Sequence, residues 1–128
     1  MTPVESAPLG GAEHFGEAWP RLLQFADMIV REGEKRGLVG PRELERLWSR
    51  HILNSTAVLE FIPQGSCVGD VGSGAGFPGL VIAICRPDCQ VTLIDSMERR
   101  CEWLLDAIAE LELTNVSVKL GRAEEFVG

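Results

Sequence analysis

The 128-residue chain is 45% hydrophobic and 24% charged, the balance of one soluble globular domain with a modest core. A net charge of -7 excludes a protein that coats nucleic acid indiscriminately, which would need clustered cations throughout. The longest apolar stretch, Phe77 to Cys85, is too short for a bilayer, and the first 14 residues lack the basic start and apolar centre of a signal peptide, so the expected location is cytoplasmic, with no membrane partner.

Residues 1–12 mix Pro, Gly, Ser and Ala without periodicity and read as a loose N-terminal arm. Residues 13–64 then form a helical segment. Phe15, Trp19, Leu22, Leu23, Ala26, Ile29 and Val30 recur at steps of three and four, one apolar helix stripe, with Pro20 interrupting the helix or opening its main part. Pro41 opens a second helix that carries Leu44, Leu47, Trp48, Ile52, Val58, Leu59 and Ile62 on its apolar side, until Pro63 and Gly65 stop it. Arg42, Arg46, Arg50 and Asn54 repeat every four residues and should share a face. From Arg31 to His51 there are six Lys or Arg against four acids, so this stretch runs against the acidic whole. The row reads either as a solvated side paired to Glu43 and Glu45, or as a local basic face.

From residue 65 to 128 the pattern alternates. It predicts a strand over Cys67–Val71, a glycine-rich turn, a helix from Pro78 to Cys85, a strand over Val91–Ile94, a helix from Ser96 to about Leu113, and a strand over Val116–Leu120. Units of this length make parallel βαβ structure, an α/β fold. Met97, Cys101, Leu104, Leu105, Ile108 and Leu111 are the expected buried stripe of the last helix, with Ser96 as its N-cap. Cys67, Cys85, Cys89 and Cys101 fall at irregular intervals with no CxxC pair and no histidine close behind them, so they read as small buried hydrophobes and no metal site is expected.

The chemistry concentrates in DVGSGAGFPG, Asp70 to Gly79, where a strand turns into a helix. Gly72, Gly74 and Gly76 remove the Cβ atoms that would hold a ligand off the backbone, and they permit positive φ in a tight turn. The spacing is Asp-x-Gly-x-Gly-x-Gly rather than the G-x-G-x-x-G of dinucleotide folds. A pyrophosphate gains nothing from an acid before the first glycine, but a ligand with an ammonium does, and the methionine part of S-adenosylmethionine carries one. Asp70 is placed to meet it, directly or through water. Asp95, 19 residues after Gly76, ends the second strand, where a carboxylate accepts from the hydroxyls of a ribose or, alternatively, serves the N-terminus of the following helix.

RHILNS (Arg50 to Ser55), DVGSGAGFPG, LIDS followed by Arg99 and Arg100, and GRAEEF (Gly121 to Phe126) stand in the order and spacing of the RsmG (GidB) family of ribosomal RNA methyltransferases, which the chain resembles from about Gly37 to Phe126. RGLVGPRE (Arg36 to Glu43) is similar to its actinobacterial branch. The resemblance implies a Rossmann-like class I fold, of which the chain carries the first three strands after an N-terminal helical segment, and S-adenosylmethionine-dependent methylation of guanine N7 in 16S ribosomal RNA of the small ribosomal subunit. It further implies that Gly72, Gly74 and Phe77 line the methionine side of the cofactor, that Asp95 holds its ribose and that Ala123 and Glu124 lie beside its adenine. Three departures stand out. Gly69 replaces the family's usual branched apolar residue, Asn54 stands where many members have Asp, and the S-R-A segment found further on in family members does not occur before Gly128.

On this view Arg42, Arg46, Arg50 and His51 are candidates for contact with RNA phosphates. Guanine N7 has a lone pair and no proton, so no catalytic acid or base is assigned. Two rivals remain open: a nucleotide-dependent oxidoreductase, disfavoured by the glycine spacing, and a non-catalytic fragment that binds cofactor or RNA. With the glycine-turn strand central in such sheets, one of its sides is expected to be unpaired, an open edge through which the chain could self-associate.

Overall fold

The computed structural model describes residues 3–122. After α1 (Gly11–Phe15) and a 3-10 turn comes α2 (Trp19–Glu32), which Pro20 enters in its first turn, where no N–H is needed. α3 (Pro41–Glu45), a π-helical turn (Leu47–Ile52) and α4 (Leu53–Thr56) follow, then β1 (Cys67–Val71), α5 (Gly79–Cys85), β2 (Gln90–Asp95), α6 (Glu98–Leu111) and β3 (Val116–Leu120). The strands are parallel in the order β1-β2-β3. Val68 and Asp70 of β1 share a face with Val91 and Leu93 of β2, and α5 and α6 pack on the sheet, with α2 lying outside them. Cys67, Gly69 and Val71 of β1 and Ser117 and Lys119 of β3 are exposed on the other face. Among the described residues β1 has β2 as its one strand neighbour.

The helical segment and the sheet share one core. Leu22, Phe25 and Ile29 of α2 are fully buried in the same cluster as Leu80, Leu93, Trp103 and Leu104. At roughly 1.5–3 kcal/mol for each fully buried large side chain, this seam is enough to fix α2 against the sheet layer.

Several expectations change. The second helix is not continuous: it breaks at Arg46 (φ -127°, ψ 24°) and resumes with π geometry. α3 is closed at its start by the Gly40 N–H donating to Glu43 Oε2 at 2.8 Å. The buried arcs of α2 and α6 are also rotated from the expected stripes. Leu23, Val30 and Leu105 are exposed, as is Val58, whereas Phe25, Met28, Trp103 and Ala107 are buried. The reason is that α2 packs against both α5 and α6, so its buried arc is set by two neighbours rather than one. Met97, not Ser96, is the N-cap residue of α6. Cys67 is exposed and Cys85 half-buried, so the reading as buried hydrophobes holds for Cys89 and Cys101.

The arm is tied down as well. The Glu5 N–H donates to the Leu44 carbonyl, and Ala7 packs on the core. No helix of the described residues is long and apolar enough to cross a membrane.

Candidate functional site

The turn between β1 and α5 is built from three glycines with left-handed backbone, Gly72 (φ 75°), Gly74 (57°) and Gly76 (114°). They do different work. A Cβ at Gly76 would meet the Leu80 side chain at 2.7 Å, and at Gly79 it would meet Leu93 and the Asp70 carboxylate. Those two glycines therefore serve packing. A Cβ at Gly72 would meet nothing within 4 Å, and at Gly74 only the Gly72 carbonyl at 3.8 Å. Gly72 and Gly74 thus present bare backbone to open space, as a turn that receives a ligand requires.

The turn is held on several sides. Gly72 N–H donates to the Ile94 carbonyl at 2.7 Å, Ser73 Oγ to the Asp70 carbonyl at 2.8 Å, and the Trp103 indole N–H to the Ala75 carbonyl at 2.9 Å. Asp95, 2% exposed, accepts from Gly74 N–H through Oδ2 and from Met97 N–H through Oδ1, both at 2.9 Å. It therefore serves the start of α6 and joins it to the glycine turn. A carboxylate has lone pairs beyond the two used in these bonds. Arg100 lies 3.8 Å from Oδ2.

Asp70 turns its carboxylate toward α5, where Oδ2 accepts from Gly79 N–H at 2.9 Å. Burial pushes this carboxyl above its ordinary value, opposed by the Gly79 N–H and Ser73 and assisted by the nearby Asp95 charge. Gly79, inside the glycine motif but unassigned in sequence, is what permits this close approach.

Phe77 stands between two rings: Phe25 of α2, 5.6 Å away, and His51, stacked at 5.1 Å with planes 29° apart. His51 also lines an open hollow of about 630 Å³ with Arg42, Glu43, Glu45, Arg46, Arg50 and Asn54. The break at Arg46 does not scatter the row; all four of its members line this one hollow. Arg21, Arg31, Arg36 and Arg86 each donate to a carboxylate or carbonyl oxygen. Arg42, Arg46 and Arg50 make no such side-chain bond to another described residue, and of the two readings of the row the ion pairs to Glu43 and Glu45 are not formed. Asn54 donates to the Arg50 carbonyl at 3.0 Å. Ala123 and Glu124 lie outside the described residues. Among those described, no group of three or more His, Cys, Asp or Glu could hold a metal ion.

The sequence signature of the family described as rRNA small subunit methyltransferase G matches residues 19–127. The chain belongs to the RsmG family. RsmG relatives named Ribosomal RNA small subunit methyltransferase G include those of Leifsonia xyli subsp. xyli, 52% identical over 95% of this chain and 58% of the relative, and of Pseudarthrobacter chlorophenolicus, 48% identical over 100% of this chain and 60% of the relative. The chain thus spans about 60% of the length of the RsmG relatives it matches.

Solved structures with this fold include Trm5b from Pyrococcus abyssi (TM-score 0.54, 20% identity, 70% of this chain and 24% of that one). Coclaurine N-methyltransferase bound to N-methylheliamine and SAH is also similar (TM-score 0.52, 26% identity, 61% of this chain and 22% of that one). The described part of this RsmG chain therefore has the class I methyltransferase arrangement in its first three parallel strands, preceded by the helical segment.

Proposed function

We propose that this chain forms the donor-binding part of an S-adenosylmethionine-dependent enzyme that methylates N7 of a guanine in 16S ribosomal RNA, with the small ribosomal subunit or its RNA as partner, in the cytoplasm. The observation that carries the reading is the pair of left-handed glycines, Gly72 and Gly74, whose missing Cβ atoms face open space at the carboxyl end of β1, where open α/β sheets bind ligands. Family membership and the SAH-bound neighbour support the choice of ligand.

The residues present fit that donor, which when bound supplies an electrophilic methyl group on a sulfonium. Gly72, Gly74 and Phe77 would line its methionine side, and Asp70 would meet the amino group with the carboxylate it shares with Gly79. Asp95 would accept from the ribose while still holding Gly74, and Ala123 and Glu124 would lie beside the adenine. No residue is required to move a proton, because guanine N7 attacks with a free lone pair. Holding nucleophile and methyl in line can contribute about 7–11 kcal/mol.

The hollow of Arg42, Arg46, Arg50 and His51 would receive RNA phosphates. Support comes from its unpaired guanidinium groups on a chain of net charge -7, and from the His51–Phe77 stack that sets it beside the glycine turn. The side of β1 that no strand among the described residues pairs with is the surface through which we propose two copies could associate.

The test is calorimetric titration of the chain with S-adenosylhomocysteine and with NAD. It is paired with methyl transfer to small subunits lacking N7 methylation, using a chain of the RsmG relatives' full length. Binding of S-adenosylhomocysteine alone, with the methyl found on guanine N7, supports the proposal. NAD binding, or a methyl on another atom, overturns it.

A further inference from the structure

Glu5 lies outside the stretch matched by the family signature, residues 19–127, yet it is hydrogen-bonded to the segments that carry the arginines of the hollow. At Arg46 the helix breaks, and the new π turn begins with backbone N–H groups that have no partner in the preceding turn. Glu5 supplies one. Its Oε1 accepts from Trp48 N–H and Ser49 N–H, both at 2.8 Å, and from Ser49 Oγ at 3.2 Å. On the other side of the break, Glu5 N–H donates to the Leu44 carbonyl at 3.0 Å. A single residue is therefore bonded to α3, which carries Arg42, and to the π turn, which carries Arg50. The arm is seated beside it by the Trp19 ring, against which Gly11 lies so closely that no Cβ would fit, and Trp19 in turn meets Trp48 at 5.2 Å.

We infer that Glu5 is a positioning residue for RNA binding: it staples the two halves of the broken helix so that Arg42, Arg46 and Arg50 converge on one phosphate-bearing strand. The inference rests on the proposed role of the hollow as the RNA-phosphate site. Glu5 itself is an anion and does not touch RNA. Its charge alone would repel RNA, so positioning and electrostatics predict opposite signs for its removal.

The experiment measures affinity of the chain for a 16S rRNA transcript across a salt series, and for S-adenosylhomocysteine, in four variants. Glu5→Ala removes both charge and reach. Glu5→Asp keeps the charge and loses the reach, and covers the case in which the alanine variant does not fold. Glu5→Gln keeps an acceptor oxygen at the same reach and loses the charge. Arg42→Gln tests the hollow itself.

Glu5→Ala and Glu5→Asp are expected to weaken RNA binding about tenfold and to lower the log-log salt slope by roughly 0.7–0.9, the loss of one phosphate contact, with S-adenosylhomocysteine affinity within about twofold of the parent. Glu5→Gln should bind RNA at least as well as the parent. The inference is overturned if all three Glu5 variants tighten or leave RNA binding unchanged, or if the two weakened variants lose S-adenosylhomocysteine in parallel. A normal slope in Arg42→Gln would instead overturn the role of the hollow, whatever Glu5 does.

Discussion

Asp95 Oδ2 and the backbone N–H of Gly74 are 2.9 Å apart, so one buried carboxylate ties the end of β2 to the middle of the glycine turn. Replacing Asp95 with Ala should weaken S-adenosylmethionine and S-adenosylhomocysteine alike, by about 1.5–3 kcal/mol, because the ribose is common to both. It should also lower folding stability by about 1–3 kcal/mol, since Gly74 and Met97 lose their acceptor. Titration calorimetry and thermal melts read the two losses separately. Undiminished affinity in a folded variant would remove Asp95 from the site.

The unpaired guanidinium groups of the hollow give a second expectation. Replacing Arg42 and Arg46 together by Gln should reduce the salt dependence of RNA affinity by roughly 0.7–0.9 in log-log slope per lost contact. Because neither group is engaged in an ion pair with a described residue, the melting temperature should hardly move. A parent-like slope would assign both to the solvated surface.

A glycine of β1 and one of the turn that follows it should respond with opposite signs. Gly69 is exposed on β1 and a Cβ there meets nothing within 4 Å, so Gly69→Val should stabilise the chain by on the order of 1 kcal/mol, seen as a rise of a few degrees in melting temperature. Gly76→Ala must overcome both a φ of 114° and a 2.7 Å contact with Leu80, and should destabilise. Equal melting temperatures for the two variants would contradict the packing described at this turn.

Arg86 and Asp88 latch the helical segment to the sheet: Arg86 donates to the Leu59 and Ile62 carbonyls, and Asp88 accepts from Arg86 and from Gly65 N–H. The Arg86 guanidinium, then the Gly65 N–H, hold the Asp88 carboxyl far below its ordinary value of 3.8. A depressed acid contributes stability above its unfolded value and loses it as pH falls toward the folded one. Asp70, raised by burial, contributes in the opposite sense: its stabilisation is present at low pH and lost as pH rises through its folded value. Asp88→Asn should therefore flatten the fall in melting temperature below about pH 4 and lower it near neutrality. An unchanged acid limb would show that the latch does not couple to folding.

The strands and the glycine turn were legible in the sequence because their causes are local. β1 and β3 span the predicted residues, β2 extends by one at each end, and α5 ends at the predicted Cys85. Alternation of apolar residues, left-handed glycines and an acid at a strand end each act within a few residues of themselves. The arginine row was legible too, since a repeat of four survives one π turn well enough for its members to share a hollow.

What the tertiary structure alone decided are the effects that depend on which surface meets which. A hydrophobic stripe says that a helix has an inner face, but two neighbours rotated that of α2 until Phe25 and Met28, not Leu23 and Val30, were inside. Asp70 proved to serve the start of α5, and Asp95 the glycine turn, because the carboxylates close over backbone N–H groups 9 and 21 residues distant along the chain. Glu5 in an aperiodic arm became the acceptor for a helix break 43 residues away, a pairing no local pattern encodes. A side chain's chemical capacity belongs to the sequence. The partner that uses it is fixed only when packing brings distant backbone within the 3 Å or so over which a hydrogen bond acts.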